Sequence, residues 1–244
     1  MGCWCDKNGA FKLIGGDVMS MDCINQNPAY LKTWIEREKT MDAEYYKQHP
    51  DSVILLFQNE LRELGFEFEI CGQMIGFMPK HKDVILPLVI KYYQQAKQLG
   101  KDNEQNSFLT FFKFKGLEVV VPMLLEDYYS NETKDLTRWF ISDCFYSIRS
   151  KKYISDYLKI ISNEEYGDNR QLIILLLGEM KVEEAIPVFI KLLEDESVRL
   201  HAICALGCFK RKEFLPYFER FSESKHPGWR KYAKLAIKKT LKQN

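Results

Sequence analysis

The chain lacks any long hydrophobic run. Its longest apolar stretch, Leu172 to Leu177, is far shorter than the roughly 20 residues that cross a bilayer as a helix. The N-terminus has no apolar segment followed by a small-residue cleavage site, as an exported protein would. Glycine-rich phosphate loops, the HExxH zinc motif and the serine elbow are also missing. These absences predict a protein without membrane contact and give no support to the familiar enzyme classes.

Histidine and cysteine are too few and too scattered to predict a metal site. The chain has 7 cysteines and 4 histidines, and they do not show the spacing of a set of zinc ligands. Cys204 and Cys208 lie on one helix face, but Cys204 occupies a repeat position held elsewhere by leucine, so we interpret it as core. An odd number of cysteines without an export signal favours reduced thiols in the cytoplasm. We expect no metal and no other cofactor.

Residues 1–18 match no other part of the chain. Gly2 stands where N-myristoylation occurs, but position 6 is Asp6 and not the hydroxyl residue of that motif. Met19 or Met21 is an alternative natural start, in which case residues 1–18 are not native. We interpret residues 1–50 as an N-terminal arm, partly flexible, with a polar helix within residues 22–48.

A repeat of about thirty residues organises the rest of the chain. Four arginines mark the repeat: Arg138, Arg170, Arg199 and Arg230. An apolar anchor follows each of the first three after sixteen residues, and similar anchors occur upstream. The anchors are Leu86, Val121, Ile154, Ile186 and Leu215, separated by 35, 33, 32 and 29 residues. A period in this range predicts stacked structural repeats.

Each anchor is predicted to begin the second helix of its repeat, which we call helix B. Apolar residues recur at offsets 0, +3, +4 and +7 from the anchor, and this spacing forms one helical stripe. A proline follows four of the five anchors, which suits the first helical turn because no intrahelical hydrogen bond is lost there. Only the repeat that starts at Leu215 loses the stripe, as a solvent-facing terminal repeat should.

The first helix of each repeat, helix A, is predicted to begin at or just before the arginine. Acids precede three of the arginines, and they suit the positive end of the helix dipole. We predict that each arginine pairs with an acid of the adjacent repeat, forming a ladder along the stack. Gly178 and Gly207 each lie eight residues after an arginine. We favour a helix end with positive φ over a close approach of the neighbouring helix.

Residues 194–221 carry a pattern known from other proteins. Their sequence, EDESVRLHAICALGCFKRKEFLPYFERF, resembles the short HEAT-like repeats of the phycobilisome-lyase type. Those repeats run Asp-x-x-Val-Arg-x-x-Ala-x-x-Ala-Leu-Gly and open their second helix with Leu-Pro. Residues 133–244 match well and residues 51–130 more loosely, and the whole is similar to bacterial HEAT-repeat proteins of unassigned function. The resemblance implies an α-solenoid that binds other macromolecules, without a particular activity.

These observations predict an all-α fold, with a HEAT-like α-solenoid of about five helical pairs over residues 51–244. Asp51 or Ser52 is the expected N-cap of its first helix. Residues 65–82 depart from the repeat, and their local alternation indicates a short hairpin or an extended loop. Residues 101–107, KDNEQNS, are predicted to form a polar loop.

The charge is uneven along the chain, although the total is +1. Residues 199–244 carry +9, from twelve Lys or Arg and three acids, so the preceding residues carry −8. A basic end suggests an acidic partner or nucleic acid. The alternative is that these charges belong to a terminal repeat and only face solvent. Offset +5 of helix B, expected on the concave side of a HEAT solenoid, is basic in four of five repeats. We call these four residues the basic row: Lys91, Lys159, Lys191 and Arg220.

One enzyme family needs consideration. Some alkylpurine DNA glycosylases are built from HEAT-like repeats and use Trp and Asp in a cleft, and Trp139 and Asp143 have a similar spacing here. Asp143 occupies a position at which the other repeats have leucine or cysteine, so it is either paired or functional. The similar bacterial proteins tend to have an amide there, which favours a structural hydrogen bond, for instance to Arg170.

The sequence therefore favours a scaffold for protein–protein interaction without catalytic activity, in a bacterial cytoplasm. On the charge argument its protein partner is acidic. The alternative is a nucleic-acid-binding HEAT-like protein, of which a glycosylase is the less favoured form.

Overall fold

The computed structural model describes residues 4–5, 11–12 and 28–242. Strands β1 (Trp4–Cys5) and β2 (Phe11–Lys12) form a short antiparallel ladder. The remaining helices and turns of the described residues agree with the all-α prediction. The myristoylation site at Gly2 and the alternative starts at Met19 and Met21 lie outside the described residues.

The described residues form thirteen α-helices, numbered here in chain order. They are α1 (Pro28–Gln48), α2 (Val53–Glu63), α3 (Cys71–Met74), α4 (Lys82–Gln98), α5 (Asp102–Leu109), α6 (Val121–Tyr129), α7 (Asp135–Ile148), α8 (Ile154–Ser162), α9 (Gln171–Glu179), α10 (Ile186–Leu192), α11 (Arg199–Phe209), α12 (Leu215–Ser222) and α13 (Pro227–Leu241). Short 3-10 segments adjoin them at Ile75–Phe77, Thr110–Phe112, Glu118–Val120, Lys151–Tyr153, Glu164–Arg170, Glu183–Ala185 and Lys212–Phe214. Among these helices, none combines the length and the apolar character that a bilayer crossing requires.

The chain forms two compact bodies, whose boundary falls within α4 between Tyr92 and Tyr93. The N-terminal body contains the predicted polar helix as α1. Its core includes the fully buried side chains of α2, which begins after Ser52. The Ser52 hydroxyl accepts a hydrogen bond from the amide of Leu55 at 3.4 Å, as an N-cap does. The predicted division of the chain at residue 50 stays a prediction.

The C-terminal body contains the helical pairs α5–α6, α7–α8, α9–α10 and α11–α12, followed by α13. The helices B of these pairs begin at the four predicted anchors Val121, Ile154, Ile186 and Leu215. The prediction is wrong at Leu86, because α4 already begins at Lys82 and Pro87 therefore lies inside the helix. Helix α4 thus has an additional turn before its anchor.

Two segments predicted to be irregular contain helices. Within residues 65–82, α3 and a 3-10 turn occupy residues 71–77 in place of a hairpin, and residues 66–70 form an irregular loop, the predicted alternative. Ile70, Met74 and Met78 are buried there, and their spacing of four is helical, so the local alternation was misleading. Residues 102–109 form α5 instead of a polar loop. Its inward face is itself polar in part, so no apolar stripe announced the helix.

Both glycines of the repeat lie inside helices, so the favoured explanation of a helix end with positive φ is wrong. A β-carbon on Gly178 would lie 2.5 Å from the Cα atom of Ala205, and one on Gly207 would lie 3.1 Å from the Cβ atom of Ala236. The alternative explanation, a close approach of the neighbouring helix, is therefore correct. Positive φ angles occur instead at Arg149, Lys181 and Lys210, each eleven residues after its arginine.

Candidate interaction surface

The repeat arginines share one contact, because each donates to backbone carbonyls near the end of the preceding helix B. Arg138 donates to the carbonyl of Tyr128 at 3.1 Å and to that of Ser130 at 2.7 Å. Arg199 donates to the carbonyl of Leu193 at 2.6 Å and to that of Glu194 at 3.0 Å. Arg230 donates to the carbonyl of Ser224 at 2.5 Å and to that of Lys225 at 3.4 Å. Carbonyls at a helix C-terminus lack intrahelical donors and carry partial negative charge. A guanidinium placed there donates hydrogen bonds to these carbonyls and balances their partial negative charge. This contact therefore links helix B to the next helix A.

Arg170 also reaches into the next repeat. Its side chain is only 1% exposed, and its Nη2 atom lies 2.5 Å from Oδ2 of Asp195. It also donates to the carbonyl of Gly167 at 2.9 Å. Burial works against ionisation of Asp195, but hydrogen bonds from Ser197 and Arg170 outweigh it and hold its pKa below the usual range.

Two other arginines form ion pairs within their own repeat. Arg138 pairs with Asp135 at 3.2 Å, and Arg199 pairs with Glu196 at 3.3 Å, in each case three residues along the chain. The ladder was predicted at all four arginines, and the described residues show an ion pair with the next repeat at Arg170 only. The carbonyl contact, which sequence analysis did not foresee, is the one that recurs.

The basic row is exposed at every member, and three members are paired with acids. In the N-terminal body, Lys91 lies 2.6 Å from Glu60, and its hydrogen bond lowers the pKa of that carboxyl. In the C-terminal body, Lys159 lies 3.5 Å from Asp156 on its own helix. These pairs balance much of the positive charge that the sequence suggested.

Arg220 forms a bidentate ion pair with Glu194. Its Nη2 atom lies 2.6 Å from Oε2 of Glu194, and its Nη1 atom donates to Oε1. This interaction lowers the pKa of Glu194. Because both partners are exposed, the pair adds little stability, but it fixes an acid beside a base on the surface.

Lys191 is the member of the row for which the described residues provide no ion pair. It lies at a cleft of about 620 Å³ that is also lined by the buried Arg170. The other lining residues are Ser162, Glu164, Gly167, Val188, Leu192, Glu194, Asp195 and Ser197. The cleft thus combines charges of both signs with hydroxyl groups and two apolar side chains.

Asp143 is paired in the interior of the C-terminal body. It is 5% exposed, and its Oδ2 atom lies 2.5 Å from Nζ of Lys113. The ammonium of Lys113 lies 5.5 Å from the ring centre of Phe140, against which Trp139 packs edge-on. The suggested partner Arg170 is engaged with Asp195 instead. A buried carboxylate in an ion pair is not presented to a base flipped out of DNA.

Asp127 is a second acid of this kind, and it was not predicted from the sequence. It lies at offset +6 of its helix B, where the other four repeats have buried core residues, and it is 3% exposed. Asp127 accepts a hydrogen bond from Tyr93 and pairs with Lys97. Burial first, and then the charge of Asp127, raise the pKa of the Tyr93 hydroxyl. An acid at a position that is apolar in the other repeats is the sequence signal from which Asp127 could have been identified.

Four cysteines within residues 28–242 are free thiols: Cys71, Cys144, Cys204 and Cys208. Burial raises the pKa of Cys71 to about 11 and that of Cys204 to about 12, so both are protonated at neutral pH and are weak nucleophiles. The described residues contain no group of three or more His, Cys, Asp or Glu that could hold a metal ion.

Comparison with known proteins agrees with this architecture. No curated protein matches the chain, and no solved structure matches it. A family model described as HEAT repeats matches residues 154–238, from the start of α8 into α13. The match supports a HEAT-like repeat protein, with the matched repeats in the C-terminal body.

Proposed function

We propose that the C-terminal body is a HEAT-like solenoid that binds another protein and has no catalytic activity. HEAT repeats generally mediate protein–protein interaction, and they cover residues 154–238. The observation that carries the proposal is the pairing of Lys159 with Asp156 and of Arg220 with Glu194. Alternating charge suits a protein surface, which itself carries both signs.

The cleft beside Lys191 is the proposed centre of this surface. It offers a cation without an ion pair in the described region, next to Glu194 and Asp195. Hydroxyl groups of Ser162 and Ser197 add hydrogen-bonding capacity. A partner segment with an acidic side chain could pair with Lys191, and its hydrogen-bond donors could reach the serine oxygens, whereas a continuous polyanion would also have to lie against the carboxylates of Glu194 and Asp195.

The subtype and location of the protein are part of the same proposal. Asp195, Val198 and Arg199 stand at the start of α11 as in repeats of the phycobilisome-lyase type, and bacterial proteins of this kind are the ones that the sequence resembles. The free thiols of the described region support a reducing compartment, such as the cytoplasm.

Nucleic-acid binding is the second candidate, and the net charge of +9 over residues 199–244 favours it. That charge is partly neutralised in the fold. Arg211 pairs with Glu183, and Arg220 pairs with Glu194, two acids that precede residue 199. We therefore rank this function below protein binding.

The test of protein binding is capture of a partner with the full chain as bait. A photo-crosslinking amino acid is placed at Val188 in the cleft, and crosslinked proteins from the native host are identified by mass spectrometry. We expect one protein to crosslink reproducibly and its yield to fall about tenfold with Lys191→Glu. Lys115→Glu, an exposed lysine outside the row, is the matched control and should leave the yield unchanged. Equal yields from both variants would remove the cleft from the binding surface.

A titration with labelled duplex DNA and single-stranded RNA tests the second candidate. Electrostatic binding to phosphates weakens steeply with salt. We expect no binding tighter than about 10⁻⁴ M at physiological salt, the weak edge of non-specific association. Sub-micromolar affinity that is lost when Lys159, Lys191 and Arg220 are changed to Glu would establish nucleic-acid binding instead.

A further inference from the structure

Helix α13 exposes a face that the two preceding helices A bury. Equivalent positions in these helices A are numbered as offsets from the repeat arginine of each helix. Offsets +4, +5 and +8 are Ile174, Leu175 and Gly178 in α9, Ile203, Cys204 and Gly207 in α11, and Lys234, Leu235 and Lys238 in α13. The first two sets are buried or nearly so, and all three residues of the last set are exposed. The face that receives the next repeat therefore changes from apolar to basic at α13.

The glycine position shows why this face does not suit another helix of the same kind. Gly178 receives Ala205, and Gly207 receives Ala236, at distances that leave little or no room for a β-carbon. Lys238 takes this position in α13. Its long charged side chain would prevent the same backbone approach, because close-packed interfaces tolerate little added volume. A ligand for this face must therefore accept lysine side chains at its surface.

The exposed face of α13 is basic, with apolar residues between the cations. It consists of Lys231, Lys234, Leu235, Lys238, Leu241 and Lys242, which lie on one side of the helix by their spacing. Leu235 is 38% exposed and Leu241 is 51% exposed. Residues 227–241 include no acid, and Glu223, which precedes α13, pairs with Lys234. We call these six residues the α13 face.

We propose that the α13 face binds an acidic amphipathic helix of a partner protein. Its carboxylates would pair with the lysines, and its apolar side chains would cover Leu235 and Leu241. This inference rests on the proposed function, because it names a partner chemistry for a protein-binding solenoid. The equivalent face of α9 and of α11 packs against a helix through a glycine, and the lysines on this face of α13 favour an acidic helix that packs less closely.

The exposed Leu235 and Leu241 favour a protein helix over the other polyanionic ligands, which are nucleic acids and anionic membranes. The phosphate backbone of a nucleic acid would pair with the lysines but offers no apolar group to cover the leucines. An anionic membrane would require a broad apolar face turned toward lipid. The opposite side of α13, at Ala233 and Ala236, is buried within the C-terminal body. No such apolar face is left for insertion within α13.

The experiment measures binding of defined probes to the full chain by fluorescence anisotropy at physiological salt. The main probe is a synthetic helical peptide of about 18 residues, or five turns, with Glu on its flanks and Leu at i, i+4 spacing. A second peptide replaces each Leu by Gln at equal charge. Duplex DNA and vesicles of phosphatidylserine with phosphatidylcholine are the competing ligands. We expect the leucine peptide to bind about tenfold more tightly than each of the others.

Substitutions then locate the binding on α13. Lys238→Glu combined with Lys242→Glu should weaken binding of the leucine peptide about tenfold or more, and Leu235→Gln should do so through the apolar contact. The matched control is Lys151→Glu with Lys152→Glu, two exposed lysines between α7 and α8, which should change affinity less than about twofold. Urea unfolding of each variant checks that the fold is retained.

Three results would overturn the inference. They are tighter binding of DNA or vesicles than of the leucine peptide, equal loss of binding with the control variant, and concentration-dependent dimerisation that the Lys238→Glu variant abolishes. Failure here differs from failure of the proposed function. A native partner that crosslinks at Val188 and is insensitive to the α13 variants would retain the protein-binding proposal and reject only the α13 face.

Discussion

Gly178 and Ala205 bring two neighbouring helices A into backbone contact. A β-carbon on Gly178 would meet the Cα atom of Ala205 at 2.5 Å and its carbonyl oxygen at 3.1 Å. The same step recurs more loosely between Gly207 and Ala236. In α7 this register position is Tyr146, so the glycine-mediated contact belongs to the steps from α9 to α11 and from α11 to α13. Shape complementarity at these positions is thus built into the repeat.

The looser step offers a test by paired substitution. Gly207→Ala should destabilise the protein by about 1 kcal/mol, because overpacking of about 2 kcal/mol exceeds the gain in helix propensity of roughly 1 kcal/mol. Adding Ala236→Gly removes the only close contact, so the double variant should be more stable than the two single effects predict. Urea unfolding of all four proteins measures this coupling.

The tighter step provides the control for that cycle. Gly178→Ala should cost more than Gly207→Ala, and Ala205→Gly should fail to rescue it, because the clash includes the Cα atom of Ala205. Equal rescue in both pairs would contradict a backbone contact at Gly178. No destabilisation by either alanine would contradict the close packing itself.

Most starts of helix B were predictable from sequence because they combine two local signals. At Val121, Ile186 and Leu215 an apolar anchor is followed by a proline that tolerates only the first turn. Both signals act within a few residues, so they can be recognised without knowledge of the tertiary structure. At Leu86 the same pair of signals gave the wrong start, because the proline was accommodated one turn inside α4.

The remaining errors concern features that depend on a partner elsewhere in the fold. Helix α5 buries Glu104, Gln105 and Asn106, and a polar interior is invisible to hydrophobic periodicity. The role of Gly178 depended on Ala205, which is 27 residues away. The basic row could be placed on an exposed face by its offset in helix B, but its ion pairs with Glu60 and Glu194 could not be inferred from spacing alone.

Arg170 allows the carbonyl contacts to be separated from the ion pair. Arg170→Leu should cost about 3 kcal/mol, because it leaves the carbonyls of Ile161 and Gly167 without this donor as well as removing the partner of Asp195. Asp195→Asn retains the carbonyl contacts and should cost about 1 kcal/mol. Chemical denaturation compares the two variants. Equal losses would show that the ion pair, and not the helix-end contact, dominates.

Asp143 separates a structural acid from a catalytic one. Asp143→Asn should retain the fold at a cost of about 1 kcal/mol, since Lys113 is 26% exposed and can turn toward water. We also expect neither the parent protein nor the variant to release alkylated bases from DNA. Thermal unfolding and a base-release assay make the two measurements. Turnover by the parent that is lost in Asp143→Asn would assign a glycosylase activity and reject the scaffold proposal.

His201 gives the protein a defined pH dependence. Burial lowers its pKa to about 4, from an unfolded value of about 6.5. Its Nδ1 atom is buried and has no hydrogen-bond partner among the described residues. A charged imidazole would be poorly solvated in this position, so the folded state holds the neutral form.

The direction of the pH effect follows from this difference in proton binding. Between pH 6.5 and 4 the unfolded chain binds a proton at His201 that the folded chain does not, so stability must fall as the pH is lowered through this window. The contribution lost by pH 5 is at most about 2 kcal/mol. His201→Gln should remove it, so the stability difference between parent and variant should shift by that amount between pH 7 and pH 5. Urea unfolding at both values measures the shift, and NMR titration of the imidazole gives the pKa directly. A pKa near 6.5 with a stability difference independent of pH would show that His201 is solvated in the folded protein.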